Sequence, residues 1–152
     1  MPDFSELFAT SKGKPIEYNG RTLQMWDRFP VKNGQTIRVA FECANSDWLQ
    51  GIGLKVDGGL TERSKDWGRG LAIWEKSSPN GCDLKVRTSC GHVEVKNLWD
   101  RGDGFVDFWN MGGAMIVESI PRGRRYLCND GYPDDDFDDL IFTIVVLDDQ
   151  AS

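Results

Sequence analysis

Hydrophobic and polar residues alternate along most of the chain, and this two-residue period predicts β-strands. The clearest run is residues 35–41, where Ile37, Val39 and Phe41 alternate with polar or small neighbours. Similar runs predict strands at residues 22–26, 52–56, 71–74, 84–87, 93–96, 105–109, 114–118, 125–128 and 140–147. Turn signals such as Asn33-Gly34 separate these runs, and no long helical pattern interrupts them. The pattern therefore predicts an all-β protein, an antiparallel β-sandwich or jelly roll.

The two ends of the chain depart from this alternation. Phe4, Leu7 and Phe8 have helical spacing, with Asp3 as an N-cap, which predicts a short helix over residues 3–10. The run at residues 140–147 is apolar on both faces of the predicted strand. One face must meet the core, and the other needs a cover from the helix, a loop or a second copy of the chain. A homo-oligomer is therefore one of the expected alternatives.

Length and composition fit one soluble domain spanning residues 1–152. The chain has a mass of 17.1 kDa and a net charge of −6, so nucleic acid is not expected as a partner. No apolar run reaches the ~20 residues that a transmembrane helix needs. Asp3 and Glu6 stand where a signal peptide would carry basic residues. We expect synthesis in the cytosol, with any release following a route that uses no leader.

The cysteines and the single histidine suggest structural roles. The four cysteines are Cys43, Cys82, Cys90 and Cys128. Three of them end strand-like runs, at residues 41–43, 88–90 and 126–128. The cysteines are interpreted as reduced, structural thiols, although an even number also permits disulfides. Cys82, Cys90 and His92 could hold zinc, but their spacing lacks the tight cysteine pair of structural zinc sites. His92 is placed on the polar face of a strand.

The strongest functional signal is the acidic loop, residues 129–139. It contains six aspartates between two predicted strands, and their mutual repulsion favours either a bound cation or a fully solvated loop. Calcium suits such a loop because it accepts six to eight oxygen ligands in irregular geometry. Asn129 and Asp130 are the first candidate ligands. The basic stretch at residues 122–125 is expected to compensate the charge of the loop.

The C-terminal part of the chain resembles a known lectin family. Residues 126–133, the acids that follow, and residues 142–144 resemble the end of calcium-dependent, galactose-binding bacterial lectins of the LecA (PA-I) type. Residues 113–117 and 35–39 are similar to two earlier strands of that family. One amide ligand position of the family falls on Phe137, whose side chain cannot coordinate a metal.

The resemblance implies a small jelly roll with a calcium site. It implies that Asp130 is the first calcium ligand, that Asp134 contributes its main-chain carbonyl, and that Asp138 is a later side-chain ligand. A further carbonyl would come from the vicinity of Asp47 or Trp48. In that family the ion accepts two vicinal hydroxyls of a sugar, and the carboxylates accept hydrogen bonds from the same hydroxyls.

Aromatic residues supply candidate sugar contacts. Trp48 and Trp67 lie in polar predicted loops, and Tyr132 lies in the acidic loop, so these three are the ligand-contact candidates. The other tryptophans include three in strand-like runs that are expected in the core: Trp26, Trp74 and Trp109.

The sequence thus favours a non-enzymatic, calcium-dependent carbohydrate-binding protein with a galactoside-type ligand. Two alternatives remain: an interaction or inhibitor protein of the immunity type that uses its acidic loop without metal, and a C2-like module that bridges calcium to anionic lipid. No nucleophile elbow, P-loop or zinc motif points to an enzyme.

Overall fold

The fold is all-β apart from one short helix, as predicted. A computed structural model describes residues 4–100, 102, 106–107, 113–130 and 136–147. Its elements are α1 (Phe4–Ser11), β1 (Ile16–Tyr18), β2 (Arg21–Leu23), β3 (Asp27–Pro30), β4 (Thr36–Ala44), β5 (Leu49–Glu62), β6 (Lys65–Trp74), β7 (Cys82–Arg87), β8 (His92–Asp100), β9 (Val106–Asp107), β10 (Ala114–Ile120), β11 (Gly123–Asn129) and β12 (Leu140–Val146).

One antiparallel sheet curls into the two layers of the sandwich. Its order is β10-β11-β12-β4-β7-β5-β8-β3, with β6 beside β5 and β9 beside β8. The first half of β5 pairs with β8, whereas its second half pairs with β7. Gly58 and Gly59 lie where the chain passes from one pairing to the other. A Cβ on Gly58 would collide with the backbone carbonyl group of Arg87, so glycine permits this close approach.

The main core lies between the two layers. In β12, Leu140, Phe142 and Ile144 are buried and alternate with half-buried residues, which is the pattern of a strand with one face on the core. Trp99 is the fully buried tryptophan of the described residues. The expectation that Trp26 and Trp74 fill the core is wrong, because both are only half-buried. Trp109 lies outside the described residues.

A second, smaller core sits outside the sandwich. Phe4 and Phe8 of α1 are buried against Leu23 of β2, Ala114 of β10 and Phe137 of the acidic loop. The outer faces of β10 and β11 contribute half-buried apolar residues to this cluster. The helix therefore covers β10 and β11 and, through Phe137, also anchors the acidic loop.

The remaining differences from prediction are local. Of the strand expected at residues 105–109, Val106–Asp107 form β9, and the other three positions lie outside the described residues. The cysteine run at residues 88–90 is a turn between β7 and β8 rather than a strand. Among the residues that the structure describes, no helix has the length and apolar character that crossing a bilayer requires.

Candidate functional site

Two buried polar residues close the end of β11, where the acidic loop begins. Asn129 and Asp130 are each fully buried. Cys128 pairs with Leu140 across β11 and β12, so both ends of the loop meet at one edge of the sandwich. Buried polar groups are costly unless they are bonded, and the partners of these two residues define the site.

Asn129 fixes the loop. Its Oδ1 accepts a hydrogen bond from the backbone N–H of Phe137 at 2.7 Å, and its carbonyl oxygen accepts one from Nδ2 of Asn97 at 2.8 Å. Phe137 has a φ of 56°, a left-handed conformation that is uncommon for a residue of its size. Asn129 therefore orients the loop backbone and ties it to β8.

Asp130 is bonded to one side chain from the connection between β4 and β5 and to one from the start of β5. Its Oδ2 accepts hydrogen bonds from Oγ of Ser46 at 2.5 Å and from Nε2 of Gln50 at 3.0 Å. Its backbone N–H donates to Oδ2 of Asp139 at 3.0 Å. We call Ser46, Gln50, Asp130 and Asp139 the Asp130 cluster. The last three are more than nine-tenths buried.

The cluster contains a polar atom whose bonding is incomplete. Nε2 of Gln50 is bonded to Asp130 and to the carbonyl oxygen of Trp48 at 3.3 Å. Its amide oxygen Oε1 is buried and has no hydrogen-bond partner among the described residues. The indole nitrogen Nε1 of Trp99 is also buried and also has no such partner. Gln50 and Trp99 are directly paired across β5 and β8. An unsatisfied buried acceptor costs about 1–3 kcal/mol, so a cation or donor beside Gln50 would be favoured.

The other acids of the loop differ in exposure. Asp138 is half-buried and Asp136 is exposed. Burial, followed by the negative charge of Asp138, raises the pKa of Cys43, and burial, followed by Asp139, raises the pKa of Cys128. The residues that the structure describes contain no group of three or more His, Cys, Asp or Glu side chains placed to hold a metal. The expected ligand Asp134 and the expected sugar contact Tyr132 lie outside those residues.

The two candidates in the β4–β5 connection lie beside the cluster. Asp47 is exposed and Trp48 is half-buried. The backbone N–H of Trp48 donates to Oγ of Ser46 at 3.2 Å, the same oxygen that bonds Asp130. The fold therefore brings Asp47 and Trp48 to the edge where Asp130 lies.

Trp67 lies elsewhere. Glu62 and Lys65 pair at the tip of the β5–β6 hairpin, whereas Gly51 and Trp74 pair at its base beside Gln50. Trp67 lies near the tip, with Nζ of Lys65 4.3 Å from its ring centroid. The fold does not bring Trp67 together with the Asp130 cluster.

The basic stretch and the cysteines also differ from expectation. Arg124 pairs with Asp27, and Arg125 pairs with Glu42 and Glu118, so these two arginines compensate strand carboxylates rather than the acidic loop. All four cysteines are free thiols. Cys82 begins β7, which extends about 17 Å to Arg87, and Cys90 lies beyond that far end. The described residues, which include Cys82, Cys90 and His92, contain no group of three or more such side chains placed to hold a metal. The zinc alternative with both cysteines is therefore wrong.

The oxygen donors of the cluster are chemically suited to calcium. Asp130 and Asp139 carry carboxylates and Gln50 carries an amide oxygen, and hard cations prefer such ligands. Sequence reasoning missed Ser46, Gln50 and Asp139, because nothing in the pattern of β4 or β5 indicates that these strands meet the acidic loop. The excess of acids indicated the loop as a whole, and the resemblance to the LecA-type lectins implied Asp130 as the first ligand. No protein-family profile, curated protein or solved structure matches this chain.

Proposed function

We propose that the protein binds carbohydrate through a calcium ion held at the Asp130 cluster. The observation that supports this most directly is the buried amide oxygen of Gln50, which has no hydrogen-bond partner among the described residues and belongs to a side chain bonded to the carboxylate of Asp130. A buried carboxylate and a buried amide oxygen without a partner are both stabilised when a cation binds beside them.

The residues of the cluster that would hold the ion are Asp130, Gln50 and Asp139, joined by Asp134 and Asp138 as the resemblance to the LecA-type lectins implies. Calcium, when bound, supplies open coordination positions that two neighbouring sugar hydroxyls can occupy. Asn129 fixes the loop in place through its bond to the backbone of Phe137. The side chains can thus be held in position before any ligand arrives.

The neighbouring residues offer contacts to a sugar. Trp48 is half-buried beside Ser46, and an indole presents an apolar face on which the C–H face of a sugar can stack. Asp47 is exposed at the same edge and can accept hydrogen bonds from hydroxyls. Trp67 has no part in this site because it lies near the tip of the β5–β6 hairpin. The resemblance makes galactosides the first ligands to test.

A glycan array probed with calcium and then with EGTA tests the proposal. We expect binding to galactose-bearing glycans that EGTA abolishes. Asp130→Asn should lose at least tenfold in affinity (about 1.4 kcal/mol), whereas the matched variant Asp136→Asn, at an exposed acid of the same loop, should bind like the native protein. Binding that persists in EGTA, or calcium-dependent binding to anionic vesicles but to no glycan, would contradict the proposal.

A metal-free interaction protein is the second candidate. It is supported by the hydrogen bonds that Asp130 already accepts from Ser46 and Gln50, since these stabilise the carboxylate without an ion. In this case the exposed acids of the loop, Asp136 among them, would face a basic protein partner. The same array and a calcium titration separate the two candidates, because the interaction protein would respond to neither calcium nor EGTA.

A further inference from the structure

The turn between β7 and β8 is held in shape by a carboxylate from β5. Asp57 accepts hydrogen bonds from Oγ1 of Thr88 at 2.7 Å and from the backbone N–H groups of Ser89 and Cys90 at 3.1 Å and 3.0 Å. These bonds, that of Thr88 foremost, lower the pKa of Asp57. Gly91 completes the turn with a φ of 84°. The backbone that carries Cys90 is therefore fixed by several bonds at once.

Cys90 is the exposed cysteine of the four, and the single histidine of the chain lies beside it. Sγ of Cys90 is 3.8 Å from Nε2 of His92, 3.7 Å from the carbonyl oxygen of His92 and 3.5 Å from Oγ1 of Thr88. An imidazole at this distance can take the thiol proton, and the resulting ion pair is the usual form of an activated cysteine.

The other three thiols are poor nucleophiles by comparison. Burial raises the pKa of Cys82 to about 11. Burial also raises the pKa of Cys128 and that of Cys43, in both cases with help from nearby carboxylates. Thiolates are the reactive species, so these three cysteines provide internal controls for Cys90.

A small pocket adjoins the thiol. It has a volume of about 240 Å³, and its lining includes Cys90 and His92 together with two basic and two acidic side chains: Lys55, Arg69, Asp57 and Glu94. The carboxylate of Asp57 is bonded to the turn, and Lys55 and Glu94 are neighbouring positions in the register of β5 and β8. Groups of both signs suit a small peptide that carries an ammonium group and carboxylates.

We propose that Cys90 is a site of thiol–disulfide exchange with small peptide disulfides of the glutathione class, and that His92 is its base. Nε2 of His92 takes the proton from Sγ of Cys90, and the thiolate attacks one sulfur of the disulfide. The disulfide bond of the peptide breaks as the bond to Cys90 forms. The departing thiolate takes the proton from His92. One protein thiol and one disulfide become a mixed disulfide and a free thiol, with no net oxidation.

This site is independent of the proposed carbohydrate site. His92 begins β8, whereas Asn97, which bonds the carbonyl oxygen of Asn129, lies towards the end of that strand. Failure of one proposal therefore leaves the other intact.

The test treats the whole chain with glutathione disulfide and follows the mixed disulfide at each cysteine by mass spectrometry of its peptides. We expect Cys90 to react first. His92→Gln should slow the reaction at neutral pH by about fivefold, whereas the matched variant Cys82→Ser should leave the rate at Cys90 unchanged.

Modification of Cys43 or Cys82 ahead of Cys90, or a rate in His92→Gln equal to that of the native chain, would overturn the proposal.

Discussion

Asp27 shows how one buried charge ties the two layers together. Its carboxylate is 7% exposed and lies 2.8 Å from Nη1 of Arg124, and it accepts a hydrogen bond from the hydroxyl of Tyr126 at 2.7 Å. Asp27 belongs to β3 and its two partners belong to β11. Burial, followed by the negative charge of Asp27, raises the pKa of Tyr126, so Tyr126 stays protonated and donates to Asp27.

Removal of Asp27 should be strongly destabilising. Asp27→Ala leaves the guanidinium of Arg124 and the hydroxyl of Tyr126 without their partner, so we expect the free energy of unfolding to fall by about 3 kcal/mol or more. The exposed pair of Arg38 and Asp83, at 2.8 Å, is the matched control, and Asp83→Ala should cost less than about 1 kcal/mol. Equal losses in urea unfolding would contradict this assignment.

Asp57 should contribute to the acid sensitivity of the fold. The pKa of Asp57 is lower in the folded state than in the unfolded state. Its charged form therefore stabilises the fold at pH values above the unfolded-state pKa, near 4. This stabilisation is lost as the pH falls through the lower pKa of the folded state. The difference in unfolding free energy between the native protein and Asp57→Asn should be largest at neutral pH and should shrink below about pH 4. A difference that stays constant down to pH 2 would show that the charge of Asp57 has no role.

For single residues, the sequence indicates the acidic residues of the candidate site better than it indicates their hydrogen-bond partners. The crowded acidic run points to the loop, the resemblance to the LecA-type lectins points to Asp130 within it, and Asp130 lies in a buried cluster. Gln50 and Ser46 are separated from it by 80 and 84 positions, and ordinary polar residues in and beside a strand carry no local sign of such a contact. Asp139, one of six similar residues in the loop, could not be singled out either.

Among the elements, the turn before β7 depends on a glycine. Gly81 has a φ of 72°, and a Cβ there would fall on the carbonyl oxygen of Val39 in β4. β7 and β4 pair at Cys82 and Val39, so the collision would occur where the two strands first meet.

Gly81→Ala should therefore lower the free energy of unfolding by about 3 kcal/mol, since it adds a backbone collision to an unfavourable conformation. Gly34 is the matched control. It also has a positive φ, 89°, but nothing lies within 4 Å of its Cβ position. Gly34→Ala should cost only about 1 kcal/mol, and similar losses for the two variants in thermal unfolding would count against the close approach of β4 and β7.

The strands were easier to predict than the turns between them. Alternation placed β4 and β8, and a run of apolar residues placed β12, because one face of each meets the core. The run ending in Cys90 was predicted as a strand from its residues alone. It is instead a turn, because Asp57 bonds its backbone N–H groups and Gly91 turns the chain. Asp57 is distant in sequence, so the preference of the run itself could not reveal this outcome.

For the whole molecule, Phe137 links the acidic loop to the helix. It is 1% exposed and packs on Phe4 with ring centroids 5.9 Å apart, and the guanidinium of Arg21 lies 5.0 Å from its ring. Sequence reasoning identified Phe137 only as a side chain that cannot coordinate a metal. Its burial shows that the second core holds the loop against α1.

Phe137→Ala should lower the free energy of unfolding by about 3–5 kcal/mol, because it removes a buried ring and leaves a cavity. It should also weaken calcium binding, since the loop loses its anchor. Leu7 of α1, which is exposed, is the control, and Leu7→Ala should change stability by less than about 1 kcal/mol. A Phe137→Ala protein as stable as the Leu7→Ala protein would show that the second core does not hold the loop.

The order of the strands in the sheet lay beyond sequence prediction. Alternation indicates that strands exist, but pairing between distant strands such as β4 and β12 is a long-range choice that local patterns do not encode. The double role of β5, which pairs with β8 and then with β7, is equally hidden. Since that arrangement carries Gln50 to Asp130, the candidate site could be predicted only in part.

The calcium dependence of thermal unfolding tests the central claim most directly. A ligand that binds only the folded protein stabilises it by about 2.7 kcal/mol at a hundredfold excess over its dissociation constant. For a chain of this size, that corresponds to roughly 5–10 °C in Tm. We predict such an increase in millimolar calcium, reversed by EGTA and absent in Asp130→Asn. An unchanged Tm of the native protein at millimolar calcium would contradict the calcium site, and the proposed carbohydrate binding with it.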